Sequence, residues 1–340
     1  MASLTAYTGT WDYQTAAHLL RRASYRCNKA SIDQLASLSM EDAVDHLFTA
    51  ATNTFDYAPQ DEDGLNIFTS EDDFFATSST LDTHKRQVFL NWLVGKMYHD
   101  ATALEKLSFF LHTFFTNQID ATSAISSYHQ SELFRKFAFD VESTTQTGED
   151  FNFKTLVKKI CVDEAMVLYL DTKQNIKGNV NENFCRELLE LFSIGKGESY
   201  STEGLTNETE GENIDYYFFK EEDIEAGARI FTGITSLGNE AEAVVDPDNG
   251  TTSYITRSQY FLEDYQDSMT GLPKAKLHSN ASRHDNDAKT FSNRLGNISI
   301  TPMSATATLE SVEDEISQFV DAVFDTTDCL LYTSPSPRDA

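Results

Sequence analysis

Between Asn179 and Gly195 the chain reads Asn-Val-Asn-Glu-Asn-Phe-Cys-Arg-Glu-Leu-Leu-Glu-Leu-Phe-Ser-Ile-Gly, and no other stretch limits the fold so strongly. Phe184, Leu188, Leu191 and Phe192 recur at i, i+4, i+7 and i+8, so a helix puts them on one stripe that needs partners to cover it. Asn179, with Glu182 three residues on, reads as the N-terminal cap. Gly195 stands where a left-handed C-terminal residue is wanted. The other face carries Glu182, Arg186 and Glu190 at steps of four, with Glu187 on its margin. That face is either a solvated ladder worth about 0.3–0.5 kcal/mol per pair, or a polar cluster of Glu182, Arg186 and Glu187 buried against other helices. Spacing leaves both readings open.

The same period recurs along the chain. Tyr13 to Ala23 reads as a helix capped by Asp12, and Ser31 and Ser39 read as caps of short helices over 32–38 and 40–48. A longer helix is expected from Asp82 to His99. Thr102-Ala103-Leu104-Glu105 reads as a capping box opening a helix through Phe115, apolar nearly all round and hence central. Further helices are expected over 127–139, over 153–169 with a break near Asp163, over 221–231 and over 309–324. Between the last two the period becomes alternating: 241–245 and 252–256 flank Asp246-Pro247-Asp248-Asn249-Gly250, a hairpin turn. Its acids lack the spacing of a calcium loop. The fold class expected is therefore mainly α, a single multi-helix globular domain over 1–328 with a small β-hairpin element near 241–260.

Charge narrows the function. Against 26 Lys and Arg stand 54 Asp and Glu, a net charge of -28, which repels nucleic-acid phosphates. Acidic loop-like stretches lie at 50–80 and 198–215. No apolar run approaches the ~20 residues of a membrane span. The first residues show neither a basic nor an apolar signal segment, so the expectation is cytoplasmic by default. Cys27, Cys161, Cys185 and Cys329 lack metal spacing, and buried free thiols are expected. With bases so scarce, His18, Arg21 and Arg22 stand out as partners for buried acids or as an anion site, against the commoner reading of surface residues. His112, alone on an apolar helix, reads more readily as a core residue than as a ligand.

Several motifs together resemble the bacterial family called domain of unknown function 1800. They are Ala16-Ala17-His18-Leu19-Leu20-Arg21-Arg22-Ala23, the aromatic-histidine helix Phe109 to Phe115, and Leu133-Phe134-Arg135-Lys136. Tyr169-Leu170-Asp171, Lys177-Gly178 and Asn181-Glu182-Asn183-Phe184 through Gly195 follow, then Ala228 to Gly233, His284-Asp285 and Lys289-Thr290-Phe291. The resemblance covers roughly 10–325. The family's aromatic helix commonly bears two histidines two residues apart; Phe114 occupies the second position here, so no metal site is expected on it. The family pattern continues past this chain, and 329–340 resembles translated sequencing-adaptor read-through rather than that continuation. The resemblance implies a gene neighbour that is sulfatase-like, and it includes exported members.

Two functional readings follow. The first is a helical scaffold that binds this neighbour's product, in export or cell-surface assembly; it rests on the lack of a nucleophile elbow, P-loop, dinucleotide fingerprint or zinc histidine pair. The second is a hydrolase with Glu182 or Glu187 as base and His18 and His112 as proton carriers. Arg22, Arg186, Asp171, Asn181, Asn183 and Arg229 are its candidate substrate-binding residues. No cofactor or metal is expected for either.

Overall fold

The computed structural model describes residues 7–49, 79–139, 151–196, 218–245, 252–258 and 263–325. Outside them fall the turn at 246–250, the stretch 198–215, nearly all of 50–80, Cys329 and the 329–340 tail. Among the described residues the chain is mainly helical, as expected, with eleven α-helices and three two-stranded antiparallel sheets. Its contacts group into two compact units: Ala2–Phe151 with Gly238–Pro273, here the N-terminal unit, and Asn152–Leu237 with Lys274–Ala340, the C-terminal unit.

The N-terminal unit begins with α1 (Tyr13–Ala23), α2 (Lys29–Ala36) and α3 (Met40–Phe48). Asp12 caps α1 as expected, accepting from the N–H groups of Gln14 and Thr15, and Ser39 caps α3. α2 corrects the sequence reading: Asn28, not Ser31, is its cap, and Ser31 supplies the N–H it accepts. The three helices bury Ala16, Leu20, Ile32, Leu35 and Leu47, and each fully buried leucine or isoleucine contributes about 1.5–3 kcal/mol.

α4 (Ser79–His99), α5 (Leu104–Phe114) and α6 (Ala124–Ala138) follow. The entry to α5 differs from the expected capping box. Asp100 takes the Glu105 N–H that the box assigned to Thr102: its carboxylate accepts from Thr102 N, Thr102 Oγ1 and Glu105 N, at 2.9, 2.6 and 2.9 Å, while Thr102 Oγ1 accepts Leu104 N at 3.2 Å. A carboxylate at that position also complements the helix dipole. Nor is α5 wholly buried, since Phe109 and Phe110 are exposed on it. The hairpin is present, with β2 (Asn239–Val245) antiparallel to β3 (Thr252–Ser258) in the register Ala241 to Thr256.

In the C-terminal unit, α7 (Phe153–Ile160) and α8 (Glu164–Tyr169) break at Asp163, whose side chain caps α8. α9 (Asn183–Glu190) is shorter than its sequence pattern and starts after Glu182 rather than at Asn179. Asn179 instead closes a turn on Ile176 around Gly178, which takes φ +86°, a conformation open to glycine. Ending at Glu190, α9 leaves Leu191 exposed at 62%; Phe184, Cys185, Leu188 and Leu189 form the buried face. Gly195 has the left-handed φ of +72° expected of it. α10 (Glu221–Ile230) and α11 (Leu309–Asp325) complete the core. Phe184 meets Phe231 at 4.8 Å between ring centres, and Phe291 stacks on Phe319 at 5.0 Å. The short pairs β1 (Ile234–Thr235) with β4 (Lys276–Leu277) and β5 (Lys289–Thr290) with β6 (Ser299–Ile300) fix the intervening loops.

Candidate functional site

In the C-terminal unit most of the residues that carry the family resemblance gather around the end of α10. Asn175, fully buried, donates through Nδ2 to Ala228 O at 2.7 Å and accepts Asn181 N at 2.9 Å, and its carbonyl accepts Gly233 N. One amide thus ties the 175–181 loop to α10. Arg229 Nε donates to Asp285 Oδ2 at 2.6 Å, and Lys177 lies 3.6 Å from Asp285 and 2.9 Å from Asp287. Burial pushes the Asp285 carboxyl up, but hydrogen bonds from Arg229 and the Asp287 N–H outweigh it and hold the group well below the usual carboxylate range. Beneath this, Lys289 and Glu315 form an ion pair with both side chains fully buried, and His284 Nε2 lies 3.2 Å from the same carboxylate. His284 Nδ1 donates to Thr232 O at 2.7 Å, since a carbonyl can only accept.

Arg186 is held on both sides, by Glu182 at 2.9 Å and by Glu221. The partly exposed face of α9 therefore falls between the two readings its spacing allowed. Glu190 pairs with Lys196 at 2.8 Å rather than with Arg186. Burial first, then the nearby Glu190 carboxylate, raises the Glu187 pKa. Asp171 and Asn183 are exposed, and Asn181 is half-buried. The charges of Arg186 and Arg229 are thus matched by carboxylates within the unit, which is the arrangement of a structural network.

The remaining candidates lie in the N-terminal unit. His18 and Arg22 are exposed on α1. His112 lines a cavity of about 170 Å³ between α4, α5 and α6, together with Phe89, Leu93, Phe109 and Phe134. Burial lowers its pKa and keeps the ring neutral. Thus Glu182 and Glu187 belong to one unit and His18 and His112 to the other.

Glu105 is the residue that sequence reasoning placed in the wrong role. Its side chain lines the cavity and is 1% exposed. Arg135 Nη2 on α6 sits 3.0 Å from Oε1. Burial raises its pKa to about 7, against the opposing pull of Arg135. The signal available in sequence was the seven-residue step from Glu105 to His112, which puts both on one face of α5. Around it Lys96 and Arg135 lie over the Trp92 ring, at 5.5 and 5.8 Å from its centre.

Among the described residues no three His, Cys, Asp or Glu side chains group as metal ligands, and no helix is long and apolar enough to cross a membrane. Cys161 and Cys185 are buried free thiols, as expected, and burial raises both pKa values; Cys27 is free and half-buried.

Fold and sites together define a mainly helical protein with a buried ionic network in one unit and an apolar-walled cavity holding a carboxyl group in the other. The family is the one described as Protein of unknown function (DUF1800): its model matches residues 18–330, and the chain belongs to it. No curated protein and no solved structure matches the chain.

Proposed function

We propose that this chain is a helical partner-binding protein whose docking face is carried by α4 and α5. The observation that carries the reading is a run of exposed apolar side chains. Leu90, Val94 and Tyr98 step by four along α4 and are 41, 63 and 73% exposed, and Phe109 and Phe110 stand out from α5. Leu90 and Phe109 line the same cavity, so the two runs approach there, and a large apolar surface patch is uncommon on a protein that works alone. The end of α1 adjoins it: Tyr25 meets Phe109 edge-on at 6.2 Å, and Lys106 donates to Arg21 O at 2.9 Å. Lys106, over the Tyr25 ring at 5.5 Å, puts positive charge beside the face in a chain of net charge -28. A complementary partner presents an apolar ridge edged by acids.

The partner we propose is the one the family resemblance implies, the sulfatase- or phosphatase-like product of a neighbouring gene, in export or cell-surface assembly. The hydrolase reading has less support, because His18 is exposed on α1 and Arg186 is matched by Glu182 and Glu221. Co-expression of the full chain with that product, followed by size exclusion, tests the docking reading. Co-elution that Val94→Asp with Phe110→Asp weakens at least tenfold is expected. Separate elution, or co-elution untouched by the double substitution, overturns it.

A further inference from the structure

We propose that the cavity between α4, α5 and α6 binds a small primary amine whose apolar body is about the size of one ring. Volume sets the size. The cavity holds about 170 Å³, and one of roughly 150 Å³ lined by aliphatic and aromatic side chains accepts benzene. Phe89, Leu93, Met97, Phe109 and Phe134 supply walls of the same kind.

The polar groups set the chemistry. Among the described residues no lysine or arginine lines the cavity, whereas a carboxyl, hydroxyls, an amide and an imidazole do. Glu105 Oε2 is buried and accepts no hydrogen bond among the described residues. Asn117 donates its amide to Gln130 Oε1 at 2.6 Å, which leaves Asn117 Oδ1 to accept. Ser108 donates to Leu104 O at 2.8 Å, which leaves its oxygen lone pairs. The neutral His112 ring has one acceptor nitrogen. A site offering acceptors selects a donor, and an ammonium carries three N–H groups.

Charge balance points the same way. The groups facing Glu105 are Lys96 and Asp100 from α4 and its end, Arg135 and Glu132 from α6, and Tyr25 beyond α1. With Glu105 ionised, the acids of this set are Asp100, Glu105 and Glu132 and its cations are Lys96 and Arg135, leaving one negative charge for an ammonium to neutralise. Arg135 pairs with Oε1 alone and leaves Oε2 buried without a partner, and a bound cation relieves the cost of that half-satisfied carboxylate.

Calorimetric titration of the full chain with benzylamine, benzyl alcohol and benzoate tests the assignment. Benzylamine is expected to bind at least tenfold more tightly than the alcohol, and benzoate not at all. Because the Glu105 carboxyl titrates near 7 and must ionise to pair with the ammonium, amine affinity should fall about tenfold from pH 8 to pH 6 while alcohol affinity stays level. Glu105→Gln should remove both the preference and the pH dependence. Leu93→Trp, which fills the cavity and spares the carboxyl, should abolish amine binding and so covers the case in which the first variant folds poorly. Equal affinities for the three probes, or amine binding that survives Leu93→Trp, overturn the proposal. Partner docking does not enter these readouts, so the two readings fail separately.

Discussion

Glu105 on α5 and Arg135 on α6 meet at 3.0 Å with side chains 1% and 13% exposed, an ion pair between helices inside the N-terminal unit. Removing one partner of such a pair leaves the other charge buried, which typically costs about 3–5 kcal/mol. Arg135→Met should therefore destabilise the protein strongly in urea denaturation at pH 8. At pH 6 Glu105 can take up a proton, so the loss should be smaller. Arg135→Met with Glu105→Leu should recover most of it. A single substitution that costs under about 1 kcal/mol at pH 8 would show the pair to be energetically idle.

The Glu105 carboxyl also gives the wild-type protein a pH signature. Its pKa is raised from 4.5 to about 7 in the folded state, chiefly by burial. Below 4.5 both folded and unfolded chains are protonated, and the contribution is fully present. Between 4.5 and 7 the unfolded chain has released the proton and the folded one still holds it, so stability falls as pH rises. Above 7 the contribution is lost, a total of about 3 kcal/mol at 1.36 kcal/mol per pKa unit. Denaturation midpoints of wild type and Glu105→Gln, measured from pH 4 to pH 8, isolate this group. The wild type should lose ground to the variant as pH rises through that window; parallel curves would refute the shift.

Lys289 and Glu315 make a second test of buried charge, in the C-terminal unit, where both side chains are fully buried and His284 lies against the same carboxylate. Lys289→Met should cost about 3–5 kcal/mol, and Lys289→Met with Glu315→Leu should cost much less, because an apolar pair of similar volume replaces the charges. Chemical denaturation of the three proteins measures the difference. A double variant as unstable as the single one would mean that the network acts through its hydrogen bonds to Asp285 and Thr232 rather than through the pair.

What could be read from the sequence was local chemistry. Asp12 and Ser39 cap the helices expected of them because a cap needs only a short side chain and an N–H two or three residues on, and the break expected near Asp163 is made by the same chemistry. Thr102 loses the expected Glu105 N–H on the same rule, since Asp100 reaches that group with a stronger acceptor and leaves Thr102 the Leu104 N–H. Leu191 shares a stripe with Phe184 and Leu188 by spacing, but the buried face of α9 runs through Phe184, Cys185, Leu188 and Leu189, which leaves Leu191, the C-cap, at its margin. The cavity was out of reach for a different reason. Glu105 and Arg135 are far apart in the chain, and no periodicity announces which helices will face each other. The motif residues Lys177, Gly178, Asn181, Arg229 and Asp285 were legible as a set; their convergence through the buried amide of Asn175, which no motif named, and through one ion pair was not.

Gly227 offers the sharpest test of packing in the C-terminal unit. It sits mid-helix in α10, where glycine costs about 1 kcal/mol relative to alanine in an exposed helix. Here a Cβ would stand 2.4 Å from Cys185 Sγ on α9 and 2.9 Å from Phe319 Cζ on α11. Both neighbours are buried, with Phe319 stacked on Phe291, so neither has room to withdraw freely. Gly227→Ala should therefore destabilise by about 1–3 kcal/mol despite its better helix propensity. Cys185→Ala removes the nearer clash and leaves that of Phe319. Added to Gly227→Ala it should return part of the loss, giving a non-additive double-mutant cycle read from denaturation midpoints. A stabilising Gly227→Ala would mean that α9 and α11 stand further from α10 than these distances place them.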